Sequence, residues 1–128
     1  MSIKEFLLAG EVSSNVEKEV IISDRFVDEN GKPIPFKIRS ITRLELTELT
    51  NQAERTNKAL DYLLVEKCCI EPNFKDVELQ DRYGVKDGYY LIDKILLAGE
   101  VNQITTQILG ISKLGKSFDE ALEEAKKL

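Results

Sequence analysis

A side chain that moves a proton near neutral pH or ligates a metal has to be present before a fold can place it. The 128-residue sequence contains no histidine, which removes the residue best suited to proton transfer near pH 7 and the commonest metal ligand. Its two cysteines, Cys68 and Cys69, are adjacent. They lack the two-residue spacer of redox and zinc motifs, and no third or fourth soft ligand accompanies them. A nucleophilic thiol needs a base beside it, and none is evident. On the apolar face of a helix, a reduced structural cysteine is the favoured reading. The carboxylates Glu71, Asp76, Glu78, Asp81 and Asp87 miss the alternating order and central glycine of a calcium loop, and suit helix caps and a solvated face instead. Gly84 and Gly88 lack the lysine and hydroxyl that follow the glycines of a phosphate loop. The sequence thus offers no catalytic, cofactor-binding or metal-binding residue.

What it does offer is apolar and aromatic side chains at unusual places. Phe74, Tyr83, Tyr89, Tyr90 and Phe118 fall where the C-terminal helices are joined or opened, with Leu79 among them. Aromatic residues there either fill the spaces between small helices or form a contact surface for another protein. We take these six as candidate partner-binding residues.

The chain is long enough for one domain, residues 1–128, with a real core, and about two thirds of its unfolded surface can be buried. Hydrophobic residues make up 42% and charged residues 32%, and no apolar run approaches the ~18 residues that cross a bilayer. The net charge of −5 repels nucleic acid unless cations cluster. Lys37, Arg39 and Arg43 come nearest to a patch, and acidic residues accompany them in the chain. Neither nucleic acid nor membrane is an expected partner. The opening MSIKEFLLAGEVSS makes a poor secretory signal, so the expected location is the cytosol.

Two kinds of periodicity divide the chain. EVIISDRFV and IPFKIRSI, rich in β-branched and aromatic residues, flank DENGKP, which predicts a β-hairpin over residues 19–41 turning at Asn30-Gly31. Pro35 cannot donate to a ladder, which implies an edge position or a bulge in the second arm. A two-residue turn would place Arg25 opposite Phe36, so a longer loop stays open. A lone hairpin is marginal in water and must lie on a helix or gain a third strand, for which residues 11–18 are available.

Helical spacing begins at Thr42, whose capping box with Glu45 opens a helix or a pair of helices extending to Pro72, with residues 54–58 as a possible break. Asn73 is expected to cap a helix to about Tyr83, stopped at Gly84. Asp87 is expected to cap another to Ala98, stopped at Gly99. Val101, Ile104, Ile108 and Ile111 mark a further stripe, and Ser117-x-x-Glu120 opens a surface helix at the tail. The phrase LLAGEV occurs at residues 7–12 and 96–101 and reads as a repeated helix stop. The fold class is α+β: the N-terminal hairpin packed on a mainly helical C-terminal part.

In this order, DRFVDENGKPIPFKIRSIT, CCIEPNFKDVELQDRYGV, KILLAGEVNQITTQILGI and the closing FDEALEEAKKL resemble the XkdN-like phage tail assembly chaperones. The resemblance covers nearly the whole chain and is most specific at Arg25-Phe26 before Gly31-Lys32, Glu71-Pro72-x-Phe74, Leu79 to Gly84, and Leu97-x-Gly99-Glu100. Asn73 stands where the family usually has aspartate and Ala98 where it often has proline.

The resemblance implies a non-enzymatic helper, absent from the finished virion, that binds the phage tape-measure protein in the host bacterial cytoplasm during tail tube assembly. The tail tube protein is a second candidate partner, and the oligomeric state is open. Lys126-Lys127 could be encoded by a slippery adenine run allowing a frameshifted product. The alternative role is a small tail-structural or regulatory adaptor acting by β-strand addition.

Overall fold

The computed structural model describes residues 1–114; the expected tail helix and Phe118 lie outside them. The hairpin forms between β1 (Glu17–Val20) and β2 (Phe36–Arg39), antiparallel, with Val20 opposite Phe36 and Glu17 opposite Arg39. The arms are shorter than residues 19–41 imply, and the first starts earlier. Residues 21–35 leave the ladder and carry the expected turn at their tip. There Asp28 Oδ1 accepts the amides of Asn30 and Lys32, and Ile34 N–H donates to Phe26 O. Gly31 alone supplies the positive φ, at 77°. This long connection removes the awkward pairing of Arg25 with Phe36.

Pro35 was expected to force an edge or a bulge, yet β2 is the central strand of the order β1-β2-β3. The strand begins one residue after the proline, so no ladder amide is lacking. The third strand is β3 (Cys69–Glu71), which pairs Lys37 with Glu71 and Ile38 with Cys69 across a register shift. It does not come from residues 11–18, whose end belongs to β1. Phe36 and Ile38 point into the core as their alternation requires, while Ile34 stays 47% exposed.

The helical part follows from caps and stripes. Ahead of the sheet, α1 (Ile3–Ala9) is capped by Ser2 and buries no side chain. After it, α2 (Arg43–Thr56) starts on the Thr42–Glu45 capping box and stops at Asn57, which adopts the left-handed conformation at φ 55°. A second helix, α3 (Leu60–Cys68), buries Leu63, Leu64, Val65 and Cys68. The helical stretch therefore ends four residues before Pro72. Proline restricts only the residue preceding it, and residues 69–71 gain ladder bonds to β2 by extending.

Asp76, not Asn73, caps α4 (Val77–Arg82), accepting from Glu78 N–H; Asn73 instead accepts from Lys75 N–H in a turn before the helix. Gly84, at φ 70°, closes α4 with the paired bonds of a Schellman motif, Val85 N–H to Gln80 O and Gly84 N–H to Asp81 O. Asp87 caps α5 (Gly88–Ile95) as expected. Ala98 and Gly99 do not end that helix. They open α6 (Ala98–Ile111), so LLAGEV ends a helix in its first copy and starts one in its second.

The core lies between the sheet and α6, with α3 beside both. Ile38, Leu63, Val65, Cys68, Phe74, Leu91, Ile92, Val101, Ile104 and Ile108 are at most 2% exposed. Each fully buried aliphatic side chain contributes about 1.5–3 kcal/mol relative to exposure. Truncating Ile38, on the central strand, leaves a cavity where the sheet meets α6. We expect Ile38→Ala to lower unfolding free energy by about 2–5 kcal/mol, and Leu44→Ala, at a position 71% exposed, by less than about 0.5 kcal/mol. Urea titration of both variants checks the contrast.

Candidate partner-docking groove

The loop of residues 21–35 has few ladder bonds, so side chains must hold it. Arg25 does this from three directions. Its Nε donates to Glu100 Oε2 at 2.8 Å, one Nη to Glu100 Oε1 at 2.5 Å, and the same nitrogen to Ile95 O at 2.8 Å. Ile95 is the last residue of α5, whose final carbonyls lack helical partners, and Glu100 stands in the first turn of α6, where the dipole favours an anion. Glu100 also accepts from Leu97 N–H at 2.8 Å. Leucine offers no return acceptor, so only the glutamate half of a capping box exists. The Arg25 hydrogen bonds hold the Glu100 carboxyl down at about 2.

With Arg25 fixed, Phe26 is placed as well. The guanidinium lies 5.0 Å over the Phe26 ring, and that ring tilts against Phe36 with centroids 5.1 Å apart. Beside them opens an apolar groove of about 260 Å³. The loop and strand supply Phe26, Ile34, Pro35 and Phe36; the corner after β3 supplies Glu71 and Pro72; α4 supplies Leu79 and Tyr83; Ile95 closes the α5 end. Gln80, buried on the other face of α4, donates to Phe74 O at 3.0 Å and ties the helix to the preceding turn. Tyr83 is 42% exposed at the rim. The only charge in the lining is Glu71, so the groove suits an apolar stripe and offers no chemistry beyond contact.

Of the six candidate residues, the structure brings Leu79 and Tyr83 together in this groove. Phe74 is fully buried beneath it as a core residue. Tyr89 and Tyr90 belong to a separate cluster: Tyr89 lies 5.1 Å from Tyr62 and 5.5 Å from Tyr90. There Tyr62 donates to Asp93 Oδ1 at 2.7 Å, which pushes its hydroxyl up to about 12, and Ala59 N–H donates to Tyr89 Oη at the α2–α3 break. Phe26, Ile34, Pro35 and Ile95 were not singled out. A Pro-flanked aromatic strand start and an arginine amid apolar neighbours were the available signals.

Both cysteines are free and at most 4% exposed. Burial pushes the Cys68 thiol up to about 11 and Cys69 to about 12, leaving little thiolate at neutral pH. Arg39 pairs with Glu45 at 3.1 Å as its chain neighbour suggests, whereas Lys37 pairs at 3.3 Å with Glu17 of the adjacent strand, which is not near it in the chain. Among the described residues no group of three potential ligands could hold a metal ion, and no helix is long and apolar enough to cross a membrane.

The Glu100 carboxyl titrates lower folded than its ordinary 4.5, so its stabilisation is present above that value and is lost as pH falls from about 4.5 toward 2. We expect Glu100→Gln to lower the melting temperature at neutral pH and to flatten its decline across that acid window. Thermal melts of both proteins as a function of pH measure this.

The description "Phage XkdN-like tail assembly chaperone protein, TAC" belongs to a family model that matches residues 3–126. The chain is 28% identical to the phage-like element PBSX protein XkdN of Bacillus subtilis, over 94% of this chain and 91% of that protein. It is 26% identical to the Bacillus subtilis protein YqbN, over 93% and 87%. A crystal structure of the protein YqbN superposes with a TM-score of 0.70 at 27% identity, covering 84% of this chain and 93% of the other. The segments carrying Arg25, Glu71-Pro72 and Leu79 to Gly84 thus form one groove on a fold already seen in a relative, and the chain belongs to the XkdN-like phage tail assembly chaperone family.

Proposed function

We propose that this chaperone binds the phage tape-measure protein in the host bacterial cytoplasm, keeps it soluble while the tail tube is built, and leaves before the virion is complete. The tail tube protein is the second candidate client. The observation that carries the reading is the groove itself: an open apolar channel built by the segments through which the chain resembles its family. A long helical client with an apolar stripe aggregates unless that stripe is covered, and helix-in-groove docking covers it with side chains at i, i+3, i+4 and i+7. A net charge of −5 keeps the loaded complex dispersed.

The strand-addition alternative would use β1, the outer edge of the hairpin and one of the two edges of the sheet. Its exposed residues Glu17, Lys18 and Glu19 are all charged and the strand is four residues long, features that discourage edge pairing. Thiol chemistry is opposed by burial of both cysteines.

Ile34 and Tyr83 are about half exposed on the groove rim, so charging them leaves the core intact. We expect Ile34→Asp with Tyr83→Asp to weaken client binding at least about tenfold, roughly 1.4 kcal/mol, and to lower the soluble yield of co-expressed tape-measure protein. A variant that solubilises the client as well as the parent does, or finished tails that retain the chain, would contradict the proposal.

A further inference from the structure

The helix α1 leaves Ile3, Phe6 and Leu7 between 52% and 73% exposed, and among the described residues it buries no side chain. These three residues stand at i, i+3 and i+4, one narrow apolar stripe, which is the pattern that a helix docking in an apolar groove presents. The same molecule carries such a groove, open among the described residues. Lys4 stands next to Ile3 of the stripe, and the one charge in the described groove lining is Glu71, so the helix carries a cation that can pair with it, with Glu5 on the face away from the stripe.

The chain's own α1 reaches its own groove only with its link largely extended. Ser40 Oγ donates to Ser14 O at 2.6 Å and accepts from Val16 N–H at 2.8 Å, which fixes residue 14 at the Ser40 end of β2. Residues 10–13 remain as the link, and the five steps from Ala9 to Ser14 span about 17 Å at full stretch. The groove begins at the other end of the strand, and Phe36 to Ser40 spans about 13 Å. Most of the link would have to run extended along the strand before the helix could even reach the groove. A second copy needs no such stretch.

Interface size points the same way. One α1–groove contact joins seven helix residues to nine lining residues, roughly 500 Å² at the area per residue of ordinary interfaces. That is half of the ~1,000 Å² expected of a specific contact, and two reciprocal contacts reach it.

We infer that two copies of this chain exchange α1, each helix filling the groove of the other, so that the free chaperone carries a stand-in for its client and the client must displace it. The inference takes the groove of the proposed function as the receiving surface and adds its occupant in the absence of client.

Sedimentation of the full chain over a range of concentrations tests it. The expected result is a weak dimer, with a dissociation constant raised at least about tenfold by Phe6→Asp with Leu7→Asp. Both side chains are about half exposed and α1 contributes none to the core, so the core survives that change. Leu7→Cys with Ile34→Cys is expected to form a disulfide between copies; the native thiols are buried. A chain that stays monomeric, a dimer indifferent to the charged α1, or a crosslink formed only within one chain overturns the inference. A tape-measure segment that binds the groove of a monomer with free α1 defeats the inference alone. An α1-exchanged dimer that no client segment displaces leaves the inference standing and defeats the proposed function.

Discussion

One guanidinium holds the working face together. Arg25 reaches from a loop without ladder support to the last carbonyl of α5 and the first-turn carboxylate of α6, satisfying a helix C-terminus and a helix N-terminus at once. Each partner is poorly compensated without it: the α5 carbonyl lacks a helical donor, and Glu100, 6% exposed, lacks a counter-charge. The loop that this bond fixes carries Phe26, and Phe26 with Phe36 forms one wall of the groove. Ile95, which closes the α5 end, is itself an Arg25 acceptor. A single polar cluster therefore ties two parts of the groove lining together.

Division of labour among the layers follows from that constraint. Sheet and α6 form the buried frame around Ile38, Val101, Ile104 and Ile108, while α4 is a six-residue helix held by the Gln80–Phe74 bond and the Gly84 stop. A short helix on a rigid frame presents Leu79 and Tyr83 without committing them to the core. The surplus of apolar surface on α1 and in the groove is unusual for a small soluble chain. The proposed function gives it a direct use, because covering apolar surface on another chain requires apolar surface held in reserve.

Local chemistry was readable from residue order wherever a single side chain decided the backbone. Thr42 with Glu45, Asp87, the Gly84 stop and the Phe36–Ile38 alternation all stand as their types require. Reading faltered where tertiary pairing decided. Residues 69–71 extend because β2 offers hydrogen bonds, which no periodicity records in three residues. Gly99 opens a helix rather than closing one because Glu100 and Arg25 stabilise the start of α6. Asp76 displaces Asn73 as a cap because the turn at Asn73 carries Phe74 into the core before the helix can begin. The groove was half legible. Leu79 and Tyr83 were named from their position in a joint, whereas Phe26 and Ile95 are brought to one groove through Arg25, whose guanidinium donates to the Ile95 carbonyl 70 residues away in the chain.

The central claim is that this Arg25-clamped groove is the surface that covers the client. Amide hydrogen exchange on the full chain, alone and with tape-measure protein present, tests it most directly. The account predicts slowed exchange in residues 26–36 and 77–84, with little change along β1. Protection confined to β1, or no change in either groove segment despite binding, would contradict it.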